Sequence, residues 1–406
     1  MRYRLDLISP SSDESLERHL LRAGVDPAGA AIMVRKSRPV VIRIEGLGAP
    51  AANIVKQQLL ALGGDAAVHR DVIKGEPGSS AAYLIADEKR LEVLAGSLSG
   101  QPFGLAEAGS EILRLLDLRR SPPRSVSLPE GELCLAGAPL VVGVLNVTPD
   151  SFSDGGEFVE PAAAAERAAR MVDEGADMID IGGESSRPGA AEIDPAEEID
   201  RVMPVIEKVA GKIGAPVSVD TRHAGVAAEA VRLGASIIND ISALRHDPGM
   251  AAVAVESGAA VVLMHMQGTP ATMQAEPSYD DAPTEIMRWL ESAAGRLIER
   301  GLARDKIIVD PGMGFGKRLQ HNLEILERIG DFHTLGYPVM VGYSRKSFLG
   351  TLTGREVPAD RAAGGLAAAA RCLEGGVQLL RVHDVAGTVD FIGVWKAVAE
   401  GKGGER

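Results

Sequence analysis

Four side chains spread over more than a hundred residues, Asp220, Asn239, Asp310 and Lys346, are the types that grip a flat, nitrogen-rich ring. Carboxylates accept from ring N–H and amino groups, and an ammonium donates to a ring carbonyl or nitrogen. Asn146, Arg381 and His383 suit a phosphorylated group instead. The amide carbonyl of Asn146 is also a hard oxygen donor of the kind Mg2+ takes. Singly, each residue has an ordinary explanation as a helix cap or loop brace. Their shared placement argues for a site, because each stands at or just after the end of a short apolar run.

Eight such runs occupy 141–145, 178–181, 217–219, 236–239, 260–264, 307–309, 339–341 and 379–382. Between them lie Ala/Leu/Glu-rich stretches such as 162–174 and 360–374, whose apolar spacing suits amphipathic helices. This alternation implies a parallel sheet with helical crossovers. Eight units in one stretch suit a (β/α)8 TIM barrel, and strands buried on both faces explain the unbroken apolar runs. The active site of such a barrel lies at the C-terminal strand ends, where these polar residues fall.

The chain ahead of the barrel reads differently. Residues 1–120 suggest a small α/β (α+β) domain, with strands near 40–44, 67–69 and 82–85 and helices near 53–62, 91–98 and 112–118. Residues 121–137, opening on Ser121, Pro122 and Pro123, read as a linker and barrel-entry strand, and 138–400 as the barrel.

Bulk properties narrow the function. The 406 residues carry a net charge of −13 with no basic block, which argues against nucleic-acid or anionic-membrane binding. Phosphate must therefore meet a local cation or metal. Cys134 and Cys372 form no CxxC, so neither a disulfide framework nor a cysteine metal site is expected. The first residues lack an apolar signal-peptide core and no apolar run spans a bilayer, so the cytoplasm is the expected location. The stretch 312–317 is neither a Walker A loop nor a dinucleotide fingerprint, and 342–346 lacks the closing glycine of a nucleophile elbow. Lys317 reads as a loop brace, His265 and Asp240 as supporting or capping groups, and Asp384 as a cap for the last helix. Arg345 reads equally well as a structural ion-pair partner.

Taken together the strings resemble dihydropteroate synthases. VLNVTPDSFSDGG (144–156) resembles the family's first signature throughout. DIGGESSRPG (180–189) resembles the second, with Ser186 where Thr is usual, a change that keeps the hydroxyl. SVDT (218–221), INDI (238–241), LMHM (263–266), DPGMGFGK (310–317), SRKS (344–347) and RVHD (381–384) follow in the family's order. The resemblance spans about residues 130 to 400 and leaves the front domain outside it.

The resemblance implies condensation of 4-aminobenzoate with (7,8-dihydropterin-6-yl)methyl diphosphate, giving 7,8-dihydropteroate and diphosphate in folate biosynthesis. It places the pterin among Asp220, Asn239, Asp310 and Lys346, with Met264 and Phe315 as apolar walls. It places diphosphate at Asn146, Ser186, Arg381 and His383, with Mg2+ at Asn146. Phe152, Asp154, Arg187 and Pro188 shape the 4-aminobenzoate pocket, whose carboxylate end rests on Ser347. Asp154, Arg187, Lys346, Arg381 and His383 carry the catalysis, and the loops at 151–156 and 185–189 close as a lid. The family also implies a homodimer and sulfonamide sensitivity. Two alternatives share the pterin contacts: a pterin-binding methyltransferase domain, and a non-catalytic pterin-binding protein.

Overall fold

The computed structural model describes residues 6, 8, 10, 12–74, 80–137, 139–148, 160–185 and 192–400. The chain divides into two compact units, one of residues 1–121 with 396–406 and one of residues 122–395.

The first unit begins with α1 (Asp13–Arg22) and α2 (Pro27–Ser37), followed by β1 (Val40–Leu47), α3 (Ala49–Ala61), β2 (Asp65–Ala67), β3 (Ser80–Ala86), α4 (Glu88–Leu98) and α5 (Leu105–Arg120). Its antiparallel sheet has the order β1-β3-β2. Side chains alternate along these strands. Ile42, Ala82 and Leu84 pack into a core with Val55, Leu59, Leu91, Leu94 and Ile112 from the helices, while Val41, Tyr83 and Ile85 are exposed. Strand β2 starts two residues earlier than the sequence suggests. Its start is set by the helix end, where the Gly64 N–H donates to the Leu59 carbonyl and Gly63 takes a positive φ.

The second unit opens with a hairpin, β4 (Ser125–Ser127) and β5 (Glu132–Cys134). The sequence suggested a linker and one entry strand here. Instead Val126, Leu133 and Leu135 pack with Val142, Met178, Ile237, Val262, Ile308 and Leu379, residues near the N-terminal ends of the barrel strands. The hairpin thus fills the barrel's bottom. Each strand has only three residues, too few for a readable alternation.

The barrel then runs β6 (Leu140–Asn146), α6 (Pro161–Asp173), β7 (Met178–Gly182), α7 (Pro195–Val209), β8 (Val217–Asp220), α8 (Ala224–Arg232), β9 (Ile237–Asp240), α9 (Met250–Ser257) and β10 (Ala260–Met264). It continues with α10 (Ala282–Glu299), β11 (Ile307–Asp310), α11 (Leu319–Glu327), β12 (Met340–Val341), α12 (Ser347–Thr353), α13 (Ala362–Glu374), β13 (Leu379–Val382) and α14 (Val385–Glu400). The eight strands β6 to β13 match the eight runs read from the sequence. They pair in parallel in the order β11-β10-β9-β8-β7-β6-β13-β12, and a parallel bridge between Val309 and Val339 closes the ring. Every residue of β7 and β10 is buried, as a strand covered by both barrel interior and helices requires.

The helices start on local signals. Asp194 caps α7 by accepting from the Ala196 N–H at 2.8 Å, with Pro195 in the first turn. Val202, Val205, Ile206 and Val209 then line its buried face. Such faces form one core around the strands, from Val141 to Ile392.

Candidate active site

A small cavity opens at the C-terminal end of the barrel. Asp220, Asn239, Met264, Asp310, Phe315, Lys346 and Arg381 line it, with Ile241, Met313 and Gly342 completing the wall. All six residues assigned to the pterin from the sequence are therefore in one cavity. Asp220 closes β8, Met264 closes β10 and Asp310 closes β11, Asn239 is the penultimate residue of β9, and Phe315 and Lys346 lie in the loops after β11 and β12.

Asp180 organises this site, although the sequence reading gave it no role. It sits within β7, 1% exposed. Its Oδ2 accepts from Arg381 Nε at 2.6 Å and from Asn239 Nδ2 at 2.9 Å. A second guanidinium nitrogen of Arg381 donates to Asp220 Oδ2 at 2.6 Å. Asp180 fixes the amide of Asn239, because its carboxylate accepts and so the amide nitrogen must face it. The carbonyl oxygen of Asn239 is left to accept from a ligand. One signal for Asp180 was available: an acid inside an otherwise apolar strand must have a buried partner.

Arg381 was grouped with the diphosphate residues. In the structure it lines the same cavity as those six residues and is tied to the carboxylates of Asp180 and Asp220. It therefore fixes the positions of Asp180 and Asp220 as well as supplying positive charge.

Burial in the cavity shifts its ionisable groups. Burial pushes the Lys346 pKa down to about 7, helped by the nearby Arg381 charge and opposed by Asp310 and Asp220. Burial pushes Asp310 up to about 6, against a hydrogen bond from Gly312 and the charges of Lys346 and Arg381. Burial also raises Asp220, while the Arg381 guanidinium opposes that rise. The Lys346 ammonium stands 3.8 Å from the centre of the Phe315 ring, a cation–π contact that places charge and apolar wall together.

The glycine-rich stretch after β11 is built for close approach. The Gly312 N–H donates to Asp310 Oδ1 at 2.6 Å and orients that carboxylate. Gly312 has a φ of +67°, and a Cβ there would lie 2.0 Å from the His265 carbonyl oxygen. Gly316, at +59°, would press a Cβ to 2.7 Å from the Gln267 carbonyl oxygen. Only glycine meets both demands. Lys317 braces the loop, as its sequence context suggested: its ammonium reaches the Phe315 carbonyl at 2.8 Å and His265 Nδ1 at 3.0 Å. His265 is itself packed edge-on against Trp289, and burial pushes its pKa down to about 2. Asp240 accepts from the Ser242 and Leu244 N–H groups, and Asp384 from the Gly387 N–H, so both act as caps.

The remaining assigned residues divide. Asn146 ends β6, half-buried, in register with Gly182 of β7. His383 follows β13, and both its backbone N–H and its Nδ1 meet Ser344 Oγ, at 3.2 and 3.1 Å. Ser347 begins α12, exposed, immediately after Lys346. Phe152, Asp154, Ser186, Arg187 and Pro188, and most of the two lid stretches with them, lie outside the described residues.

Residues 142–383 match the pterin binding enzyme family. The dihydropteroate synthase of Escherichia coli (strain K12) is 45% identical over 268 residues, covering 66% of this chain and 94% of that protein. The chain belongs to the dihydropteroate synthases. It is thus an enzyme, a transferase of folate biosynthesis. Among solved structures, a Xanthomonas albilineans dihydropteroate synthase with 4-aminobenzoic acid is 43% identical, with a TM-score of 0.64. The match covers 68% of this chain and 98% of that one. A probable bifunctional folylpolyglutamate synthase/dihydropteroate synthase of Halobacterium salinarum aligns at 38% identity over 95% of this chain and 46% of its own length. That alignment is too long to be confined to the synthase barrel, so most of the front unit has a counterpart there.

Proposed function

We propose that the barrel mouth joins 4-aminobenzoate to (7,8-dihydropterin-6-yl)methyl diphosphate by an SN1-like substitution, giving 7,8-dihydropteroate and diphosphate. The observation that carries this reading is the convergence of Asp220, Asn239, Asp310, Lys346 and Arg381 on one cavity walled by Met264 and Phe315. That set offers acceptors to the ring N–H and amino groups and donors to its carbonyl and nitrogens.

The bond from the pterin methylene to the diphosphate oxygen breaks first, and its electron pair leaves with the diphosphate. The methylene cation is stabilised by the electron-rich dihydropterin ring. The arylamine nitrogen of 4-aminobenzoate then forms the new C–N bond and loses a proton. An arylamine is neutral at pH 7, so no strong base is assigned. The protein's part is to stabilise leaving-group charge and to keep water from the cation. Arg381 and His383 face the first task, with Asn146 and Ser186 as further diphosphate contacts. Asp154 and Arg187 act at the reacting centre. Phe152, Arg187 and Pro188 shape the 4-aminobenzoate pocket, and the amine's carboxylate end rests at Ser347.

Mg2+ belongs to the same proposal. Asn146 offers one neutral oxygen, which fits an ion that keeps several waters and takes most of its charge neutralisation from substrate phosphates. When bound, Mg2+ would offset charge on the departing diphosphate. A homodimer is also part of this reading; sedimentation at about twice the 42.5 kDa chain mass would support it. No helix among the described residues is long and apolar enough to cross a membrane, and a cytoplasmic location is the proposal consistent with that.

Mass-spectrometric detection of 7,8-dihydropteroate tests the reaction. Its formation from the two substrates supports the reading. Tight pterin binding with no such product contradicts it.

A further inference from the structure

We propose that Glu192, His223 and His246 form a binding site for a divalent transition-metal ion of the zinc class, separate from the pterin cavity. His223 is the N-cap residue of α8, just after β8, and His246 lies in the loop between β9 and α9. Glu192 precedes α7. Their potential ligand atoms all lie within 4.8 Å of one another. The pair distances to Glu192 Oε1 are 3.2 Å from His246 Nε2 and 3.8 Å from His223 Nε2. A tetrahedral ion with bonds of about 2.0–2.1 Å sets its ligands roughly 3.3 Å apart, so small side-chain movements close the site.

A second observation points at a metal rather than a chance meeting of side chains. His223 Nδ1 is 2.7 Å from Oε2 of Glu198, a residue 0% exposed. A carboxylate accepts, so Nδ1 carries the proton and the lone pair of the neutral ring is on Nε2. That lone pair stands 3.8 Å from the Glu192 oxygen, close enough for one ion to take both. A buried carboxylate holding the far nitrogen of a histidine is the arrangement that orients imidazole ligands in zinc sites.

The local charges also suit a dication. Arg222 is the adjacent positive charge: it donates to His246 Nδ1 at 3.3 Å and stands 3.3 Å from Glu192 Oε1, so metal binding requires the exposed His246 ring to turn its lone-pair nitrogen from Arg222 to the ion. Glu184 grips its guanidinium at 2.8 and 2.7 Å and offsets it. Glu192 and Glu198 then remain to balance two positive charges. Two imidazole nitrogens and one carboxylate, with water in the fourth position, favour Zn2+ over Mg2+, which takes oxygen ligands. An ion held there ties the chain five residues after Arg187 to the segments that follow β8 and β9.

The test is calorimetric titration of Zn2+ into tag-free, full-length protein stripped with a chelator. Co2+ serves in parallel as a visible-absorbing probe of a four-coordinate site. One equivalent of Zn2+ is expected, with no competition from equimolar Mg2+. Glu192→Gln and His246→Ala alter exposed side chains, so folding is not at stake, and each is expected to weaken Zn2+ binding on the order of 100-fold or more. Glu198→Gln, acting only through His223, is expected to weaken it about 10- to 100-fold. The absence of stoichiometric Zn2+ binding overturns the proposal and leaves the three groups as a hydrogen-bonded contact. Unchanged affinity in Glu192→Gln and His246→Ala overturns it equally.

Discussion

Arg381 Nε and Asp180 Oδ2 stand 2.6 Å apart at the base of the pterin cavity, joining β13 to β7 across the barrel interior. The same carboxylate oxygen holds the Asn239 amide, and the same guanidinium holds Asp220. Two residues that contact the pterin in the proposed complex are therefore set by one ion pair. Asp180→Asn keeps the shape but removes the charge. A hydrogen bond to a charged group contributes about 1.5–3 kcal/mol, so pterin affinity is expected to fall about 10- to 100-fold. Calorimetric titration with a pterin checks this; unchanged affinity would show that Asp180 has no part in arranging the pocket.

Arg381→Ala strikes stability and chemistry together. It leaves Asp180 and Asp220 without their cation, and breaking one side of a buried pair costs about 3–5 kcal/mol. Turnover is expected to drop on the order of 100-fold or more through loss of a charge-stabilising donor. Thermal unfolding and steady-state rates, measured on the same preparation, separate the two effects. A stable variant with normal turnover would refute both roles.

Pterin binding is expected to be bell-shaped in pH. Lys346 binds as the protonated donor, and its pKa in the free protein is about 7, so affinity falls as pH rises through 7. Asp310 binds as the ionised acceptor with a pKa of about 6, so affinity falls as pH drops through 6. Asp220, pushed up to about 7 by burial, adds to the acid limb, so the optimum lies near 7. Lys346→Met removes the alkaline limb and lowers affinity throughout. An alkaline limb that survives in this variant would assign that titration to another group.

Gly312→Ala is expected to disable the pocket despite adding one methyl group. The new Cβ would meet the His265 carbonyl at 2.0 Å, and the residue already has a positive φ. The loop must shift, carrying the N–H that orients Asp310. Pterin affinity is expected to fall by at least about tenfold while the barrel's far-ultraviolet dichroism is retained, because the strain is local. Wild-type affinity would show that the loop absorbs the change.

Much of this site was legible from sequence because strand ends and function coincide in a barrel. The runs that end at Asp220, Met264 and Asp310 are short and apolar, and a polar or soft residue at each terminus is visible without coordinates. Asp180 was not legible in the same way. It stands inside its strand, and its partners Asn239 and Arg381 lie 59 and 201 residues away in sequence. Nothing local pairs them; only closure of the barrel does. The bottom hairpin escaped for a different reason, since its three-residue strands carry no periodic signal. Helix α1 also went unread, although Ser12 caps it and Leu16, Leu20 and Leu21 recur at helical spacing.

A chain lacking residues 1–121 is expected to fold and to keep its pterin affinity. The barrel's apolar core and the cluster beneath it draw only on residues from 126 onward. Insoluble protein, or soluble protein without pterin binding, would make the first unit part of the working enzyme.

The most direct test of the proposed reaction is diphosphate release from the dihydropterin diphosphate, followed with and without 4-aminobenzoate and Mg2+. Release that depends on both, with one 7,8-dihydropteroate formed per diphosphate, is the expected result. Release that ignores 4-aminobenzoate, or pterin bound tightly with no diphosphate released, would contradict it.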